Sequence, residues 1–171
     1  QSTSEDPTNN NSELSRTISW SVTDANSDSV GAESSIGVTS TINITPTNDT
    51  PIVSAGATLA YRENDVTAID TTIELVDTDD TQIAGAIVSI SSGLITGDLL
   101  AVATQNNITG NYDSDTGILT LTGTATVAEY QTALQSVTYS SSSEDINAVG
   151  NPVSRTITWA VTDANSDSIG A

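Results

Sequence analysis

The residues able to do chemistry in this chain are almost all acidic. Glu63-Asn64-Asp65, Asp77-Thr78-Asp79-Asp80 and Asp163-Ala164-Asn165-Ser166-Asp167 set carboxylates and amide oxygens within a few residues of each other, and the polar run Thr47-Asn48-Asp49-Thr50-Pro51 adds one more pair. Calcium is a hard cation that takes six to eight oxygens, mostly from carboxylates and carbonyls, and short loops rich in Asp and Asn supply them. Other chemistry is poorly provided for. The chain has no His, no Cys and no Lys, so the usual nucleophile–base pairs cannot be built. A glycosidase-type carboxylate pair could in principle be drawn from the 22 acids, but no spacing suggests one; the chain reads as a non-enzyme. Asp113-Ser114-Asp115-Thr116-Gly117 has a faint Asp-x-Asp-x-Gly pattern. It lacks the remaining ligands and distal Glu of a helix–loop–helix calcium site, and is read as a hairpin turn.

Charge narrows the partners. The net charge is −19, with Arg16, Arg62 and Arg155 as the only cationic side chains. Nucleic acid requires a basic surface, and an anionic membrane surface would repel this chain as well. An acidic surface favours cationic partners, so two readings stand side by side: plain solvation, as in salty water, or divalent-cation binding. Without cysteine, stability has to come from burial, metal or neighbouring repeats rather than disulfides. No segment is long and apolar enough to span a membrane.

The elements that must position the acids are organised as a repeat. Ser15-Arg16-Thr17-Ile18-Ser19-Trp20 returns as Ser154-Arg155-Thr156-Ile157-Thr158-Trp159, an offset of 139 residues, and residues 1–32 align with 140–171 without a gap at 19 identical positions of 32. Val22–Ser29 matches Val161–Ser168 residue for residue. Self-similarity of this kind marks a tandem array. The boundary is read at the polar, Pro-ended run 48–51. Residues 1–47 are then the last third of one repeat, and 52–171 the next repeat without its final strand, the counterpart of Glu33–Thr47. Such an edge leaves backbone groups unpaired. Either the sequence is a window on a longer polymer, or another copy donates its Ile36–Pro46 strand.

Thr, Ser, Val and Ile dominate the composition, favouring strands. Alternating runs predict strands over Thr17–Thr23, Ile36–Thr45, Ile52–Tyr61, Thr71–Val76, Ala84–Ser91, Asn107–Tyr112, Gly117–Thr122, Ser136–Ser140 and Arg155–Thr162. Trp20 and Trp159 sit in phase with Ile and Val and are expected in the core rather than on a sugar-stacking face. One helix is expected after Thr126, with Thr126 and Glu129 forming a capping box and Val127, Tyr130, Leu134 and Val137 an apolar stripe. In an antiparallel sandwich, successive loops alternate between two poles. Asn48-Asp49, Asp77-Asp79-Asp80 and Asp163-Asn165-Asp167 then converge on the pole where the chain enters. Glu63-Asp65 fall at the opposite pole, and Asp24-Asn26-Asp28 serve the preceding junction. Carboxylates so gathered repel each other unless a cation joins them.

Several runs resemble the cadherin-like repeats of giant bacterial adhesins, often secreted by type I (RTX) systems: Asn48-Asp49-Thr50-Pro51, Tyr61-Arg62-Glu63-Asn64, Val76-Asp77-Thr78-Asp79-Asp80, Gly117–Thr126 and Tyr130–Tyr139. The resemblance implies an all-β, Greek-key immunoglobulin-like sandwich, calcium at repeat junctions and an extended extracellular rod. The expected role is therefore a calcium-stiffened spacer of a cell-surface adhesion, biofilm or filament protein, with neighbouring repeats as partners and no nucleic acid or membrane insertion. Two alternatives remain open: a carbohydrate- or cell-binding module, for which four Tyr and two Trp leave few exposed aromatics, and a fibre subunit joined by strand exchange between copies.

Overall fold

The structure is a computed structural model that describes residues 6–9, 12–144, 146, 150 and 152–166. Its contacts divide the chain into two units, with the division between Thr47 and Asn48.

The first unit is built on one antiparallel pair. β1 (Ser15–Trp20) runs against β2 (Val38–Asn43) with Ser15 opposite Asn43 and Trp20 opposite Val38. Opposed residues share a face, so Arg16, Ile18 and Trp20 lie beside Ile42, Ser40 and Val38. That apolar face is open: Trp20 is 55% exposed and Val38 63%. Among the described residues no second layer covers Trp20, and alternation supplies a side chain with a face but not with the layer that buries it. Its indole N–H instead donates to Ser40 Oγ at 3.1 Å.

The second unit is an all-β sandwich with one helix. Its largest sheet has the order β11 (Thr156–Asp163), β6 (Gln82–Ser92), β9 (Ile118–Thr126), β8 (Thr109–Asp113), all antiparallel. A second sheet has the order β4 (Thr67–Ala68), β10 (Thr138–Ser141), β7 (Asp98–Ala101), and β3 (Ile52–Ser54) pairs with β5 (Glu74–Val76). Period-two alternation decides what is buried. Ala86, Val88 and Ile90 of β6 and Leu119 and Leu121 of β9 enter the core, while Ile87 between them is 47% exposed. Leu100, Tyr139, Ile73 and Leu75 close the core from the other side. Gly123 in β9 has φ +115°, and a Cβ there would meet Asn107 O at 1.9 Å, so only glycine lets the two backbones approach.

Helix α1 (Val127–Gln135) starts with the expected capping box: Glu129 N–H donates to Thr126 Oγ1, and Thr126 N–H donates to Glu129 Oε2 at 2.9 Å. Such a cap contributes about 1 kcal/mol. Tyr130, Ala133 and Leu134 are buried, and truncating a leucine so enclosed costs about 2–5 kcal/mol. The helix also holds the edge of the β3–β5 pair. Gln131 Oε1 accepts the Leu75 N–H at 2.9 Å, and Gln135 Nε2 donates to Ile73 O at 2.8 Å. Among the described residues no helix is long and apolar enough to cross a membrane.

One strand expectation needs correction, and two observed strands, β4 and β7, lie outside the predicted runs. The run Ile52–Tyr61 pairs only over Ile52–Ser54. Beyond it, the Gly56 and Ala57 amides donate to the buried Asp70 carboxylate, each at 3.0 Å, instead of to a neighbouring strand. Thr72 donates to the same carboxylate from both N–H and Oγ1. These donors hold Asp70 well below the usual carboxylate range, led by the Thr72 hydroxyl and the Ala57 and Gly56 amides. β4 is too short for an alternation to register. β7 begins with an inverted pattern, Asp98 buried and Leu99 43% exposed. Asp98 tolerates burial because Arg155 Nε donates to it at 2.9 Å, Tyr139 OH at 2.6 Å and the Ile95 amide at 3.1 Å. Burial opposes its ionisation, but the hydrogen bonds from Arg155 and Tyr139 outweigh it and lower its pKa. The Tyr139 phenol is raised, by burial and by the same carboxylate.

Candidate metal centre

Three loops of the second unit meet at one place. The first is its opening residues, Asn48 and Asp49. The second is the turn from β5 to β6, Asp77–Thr81. The third is the end of β11, Asp163–Ser166. Each is shaped by its own carboxylates. Asp80 N–H donates to Asp77 Oδ1 at 3.3 Å, closing the first turn. Asn165 N–H donates to Asp163 Oδ1 at 2.9 Å, and Asn165 takes the left-handed conformation with φ +44°, which Asn tolerates better than most residues.

Longer bonds then tie the loops together. Asp49 N–H donates to Asp79 Oδ2 at 2.9 Å, and Asn48 Nδ2 to Asp163 Oδ2 at 3.4 Å. The Ser166 amide and hydroxyl both donate to Asp80 Oδ1, the hydroxyl at 2.6 Å. Ligand atoms from Asp77, Asp79 and Asp80 lie within 4.8 Å of one another, and Asp79 and Asp80 are each only 4% exposed.

The pattern of satisfaction is informative. Asp77 and Asp80 each have one oxygen engaged by donors. Their other oxygens, Asp77 Oδ2 and Asp80 Oδ2, are buried without a hydrogen-bond partner among the described residues, as are Asn48 Oδ1 and Asn165 Oδ1. A buried acceptor without a donor costs roughly 1–3 kcal/mol, more when charged. No described salt bridge reaches these acids: Arg155 is committed to Asp98, and Arg16 to Glu13. Burial, reinforced by the adjacent Asp79 carboxylate, pushes Asp77 up to about 6. An all-oxygen set of carboxylates and amide carbonyls, oriented by second bonds and short of cationic or N–H partners, fits a hard divalent cation. It offers no nitrogen or sulfur to a softer metal.

The structure thus brings Asn48, Asp49, Asp77, Asp79, Asp80, Asp163 and Asn165 together. Asp167 lies outside the described residues. Glu63 and Asp65 are exposed on a separate turn, where the Asp65 amide donates to Arg62 O and Tyr61 OH to Asp65 O. No described hydrogen bond links them to the cluster. Ser166 is a positioning residue that spacing alone does not reveal, since a serine carries no signature of the carboxylate it will orient.

No family model matches the chain, and no solved structure matches it. Among curated proteins, part of halomucin from Haloquadratum walsbyi is 39% identical over 113 residues, which is 62% of this chain and 1% of halomucin. The chain therefore spans about one hundredth of the length of that relative, and it is similar to it over that stretch.

Proposed function

We propose that this chain is a structural repeat of a long extracellular protein, a cadherin-like spacer of the adhesin type, whose second unit is stiffened at its entry by bound calcium. The observation that carries this reading is the set of buried oxygens without partners among the described residues, Asp77 Oδ2, Asp80 Oδ2, Asn48 Oδ1 and Asn165 Oδ1, drawn from three loops. The 139-residue internal repeat and the likeness to a small part of a very long protein support the repeat reading. Calcium suits the site better than magnesium because many protein oxygens converge and magnesium holds on to its waters. A cation here would tie Asn48 and Asp49 to the β5–β6 turn and to the end of β11, fixing the segment through which the chain enters the unit. No catalytic role is part of this reading.

The test is thermal unfolding and calorimetric titration with calcium, with magnesium and with chelator, on the chain and on its Asp80→Asn variant. Calcium should raise the melting temperature of the chain and leave the variant unmoved. Equal melting in calcium and in chelator would discard the metal. A second reading has its own observation: Glu63, Asp65, Asp24 and Asp28 are exposed, as acids that only keep a surface solvated should be. That reading is favoured if concentrated monovalent salt stabilises both proteins equally and calcium adds nothing.

A further inference from the structure

The second unit contains the tripeptide Asn-x-Thr twice, as Asn48-Asp49-Thr50 and as Asn107-Ile108-Thr109. In exported proteins this pattern is the acceptor for an N-linked glycan, provided it reaches the surface. The fold treats the two occurrences oppositely. Asn48 is drawn into the acid cluster, where its Nδ2 donates to Asp163 Oδ2 at 3.4 Å and its Oδ1 is buried. A sugar on that nitrogen would keep the three loops apart.

Asn107 stands at the tip of a hairpin. Asn106 and Asn107 have φ +47° and +64°, and Gln105 and Ile108 exchange both backbone hydrogen bonds around them, at 3.1 and 2.6 Å. Asn suits such a two-residue turn. Ile108 is fully buried and anchors the tripeptide, while Asn107 and Thr109 on either side of it are exposed. The Asn107 Nδ2 is held only by a long bond to Thr124 O, at 3.4 Å, among the described residues.

The surface beside this tip is unlike the rest of an acidic chain. The outward positions of β6, β9 and β11 carry no charged side chain; Ile87, Ser89, Thr120, Thr122, Thr158 and Thr162 are among them. Thr109 opens onto this face, its hydroxyl 3.1 Å from that of Thr122. In the ladder, Thr109 lies opposite Thr122, Thr122 opposite Gly85, and Gly85 opposite Thr162. Carboxylates keep the rest of the chain solvated, and here none does so.

We infer that Asn107 is the acceptor of an N-linked oligosaccharide, which solvates this uncharged face. The donor is an oligosaccharide joined to a lipid carrier through phosphate. Asn107 Nδ2 attacks the anomeric carbon, the new C–N bond replaces the C–O bond to phosphate, Nδ2 gives up one proton, and the lipid phosphate leaves. The inference rests on the extracellular reading above, because the transfer belongs to the export route. The glycan would project from the tip, where it displaces no buried group.

The chain is exported behind a leader from a host that glycosylates Asn-x-Ser/Thr, with a flexible Asn-Gly-Thr tail as an internal control. Occupancy is read site by site by mass spectrometry on the secreted, folded protein. Asn107 should be occupied severalfold more than Asn48. Thr109→Val should lose the glycan and Thr109→Ser keep it. Asn107→Gly should lose it too, while the turn and the melting temperature stay as they were. A bare Asn107 beside a modified tail overturns the inference, and so does equal occupancy of Asn48 and Asn107. A glycosylated protein that melts well below the same protein after enzymatic removal of the glycan also overturns it. Because the leader imposes export, a bare Asn107 counts against the acceptor and not against the extracellular reading. Calcium titration of the same protein reports the metal separately.

Discussion

Residues 15–27 and 154–166 are close to one sequence written twice, yet they meet different surroundings. In the first unit the Asp24–Asn26 turn satisfies itself locally. Asn26 N–H donates to Asp24 Oδ1, Glu33 N–H to Asp24 Oδ2, and Gly31 N–H to Asn26 Oδ1, all within one exposed loop. In the second unit Asp163 and Asn165 keep the first of these bonds, but Asp163 Oδ2 turns to Asn48 and Asn165 Oδ1 has no partner among the described residues. Arg16 makes an exposed pair with Glu13 at 3.2 Å, whereas Arg155 reaches the fully buried Asp98 at 2.9 Å. Trp20 is 55% exposed, and Trp159 packs against the core. A motif in this protein carries a local turn wherever it occurs. Among the described residues, acids from other loops are gathered beside the second copy.

The comparison can be broken most severely at the arginines. Arg155→Ala leaves Asp98 buried without its cation and should cost about 3–5 kcal/mol. Arg16→Ala, at an exposed pair, should cost under about 1 kcal/mol. Urea unfolding of the two variants measures both, and equal losses would show that the surroundings of the two copies do not differ in energy.

The acids come next. If calcium binds, a concentration about a hundred times its dissociation constant stabilises the chain by about 2.7 kcal/mol. Asp77→Asn and Asp163→Asn should lose most of that increment. Asp24→Asn should keep it, because its turn is complete without metal. Melting curves in calcium and in chelator separate the three.

The tryptophans should differ by less. Trp159→Ala should cost roughly 2 kcal/mol, below the 3–5 kcal/mol of a fully enclosed aromatic, and Trp20→Ala roughly 1 kcal/mol or less. The emission of each single-Trp variant (Trp20→Phe and Trp159→Phe) checks the assignment: the chain that retains Trp159 should emit further to the blue.

The smallest and most directional effect is with pH. Asp77 is raised to about 6 in the folded chain, so between about 6 and the ordinary carboxylate range near 3.9 the folded state binds more protons than the unfolded state. In chelator, stability from this group should therefore rise as pH falls through that window. Asp70 and Asp98 are lowered. Their contribution is fully present above the ordinary range and is lost as pH falls below it through their folded values. Urea midpoints in chelator should thus pass through a maximum between those limits. Calcium stabilisation should weaken on the acid side of 6, as protons compete at Asp77.

Much of the fold was legible because alternation and capping are local. The run at 84–91 alternates strongly and falls inside β6, the runs at 117–122 and 155–162 start one residue before β9 and β11, and Thr126 with Glu129 opens the helix as read. Where the reading failed, a distant group had intervened. Asp70 holds the amides that Ile52–Tyr61 would have given to a neighbouring strand. Arg155, 57 residues away, licenses the buried Asp98 that disguises β7.

By itself the sequence determined the repeat, the all-β character, the helix start and the oxygen-rich loops, since each depends on neighbours along the chain. Only the tertiary structure decided which of two matching acid runs gathers Asn48, Asp77 and Asp80 around it, which arginine is buried and which tryptophan is covered. Burial, unmatched acceptors and ion pairing are properties of what lies across space, and two copies of one segment can differ in all three.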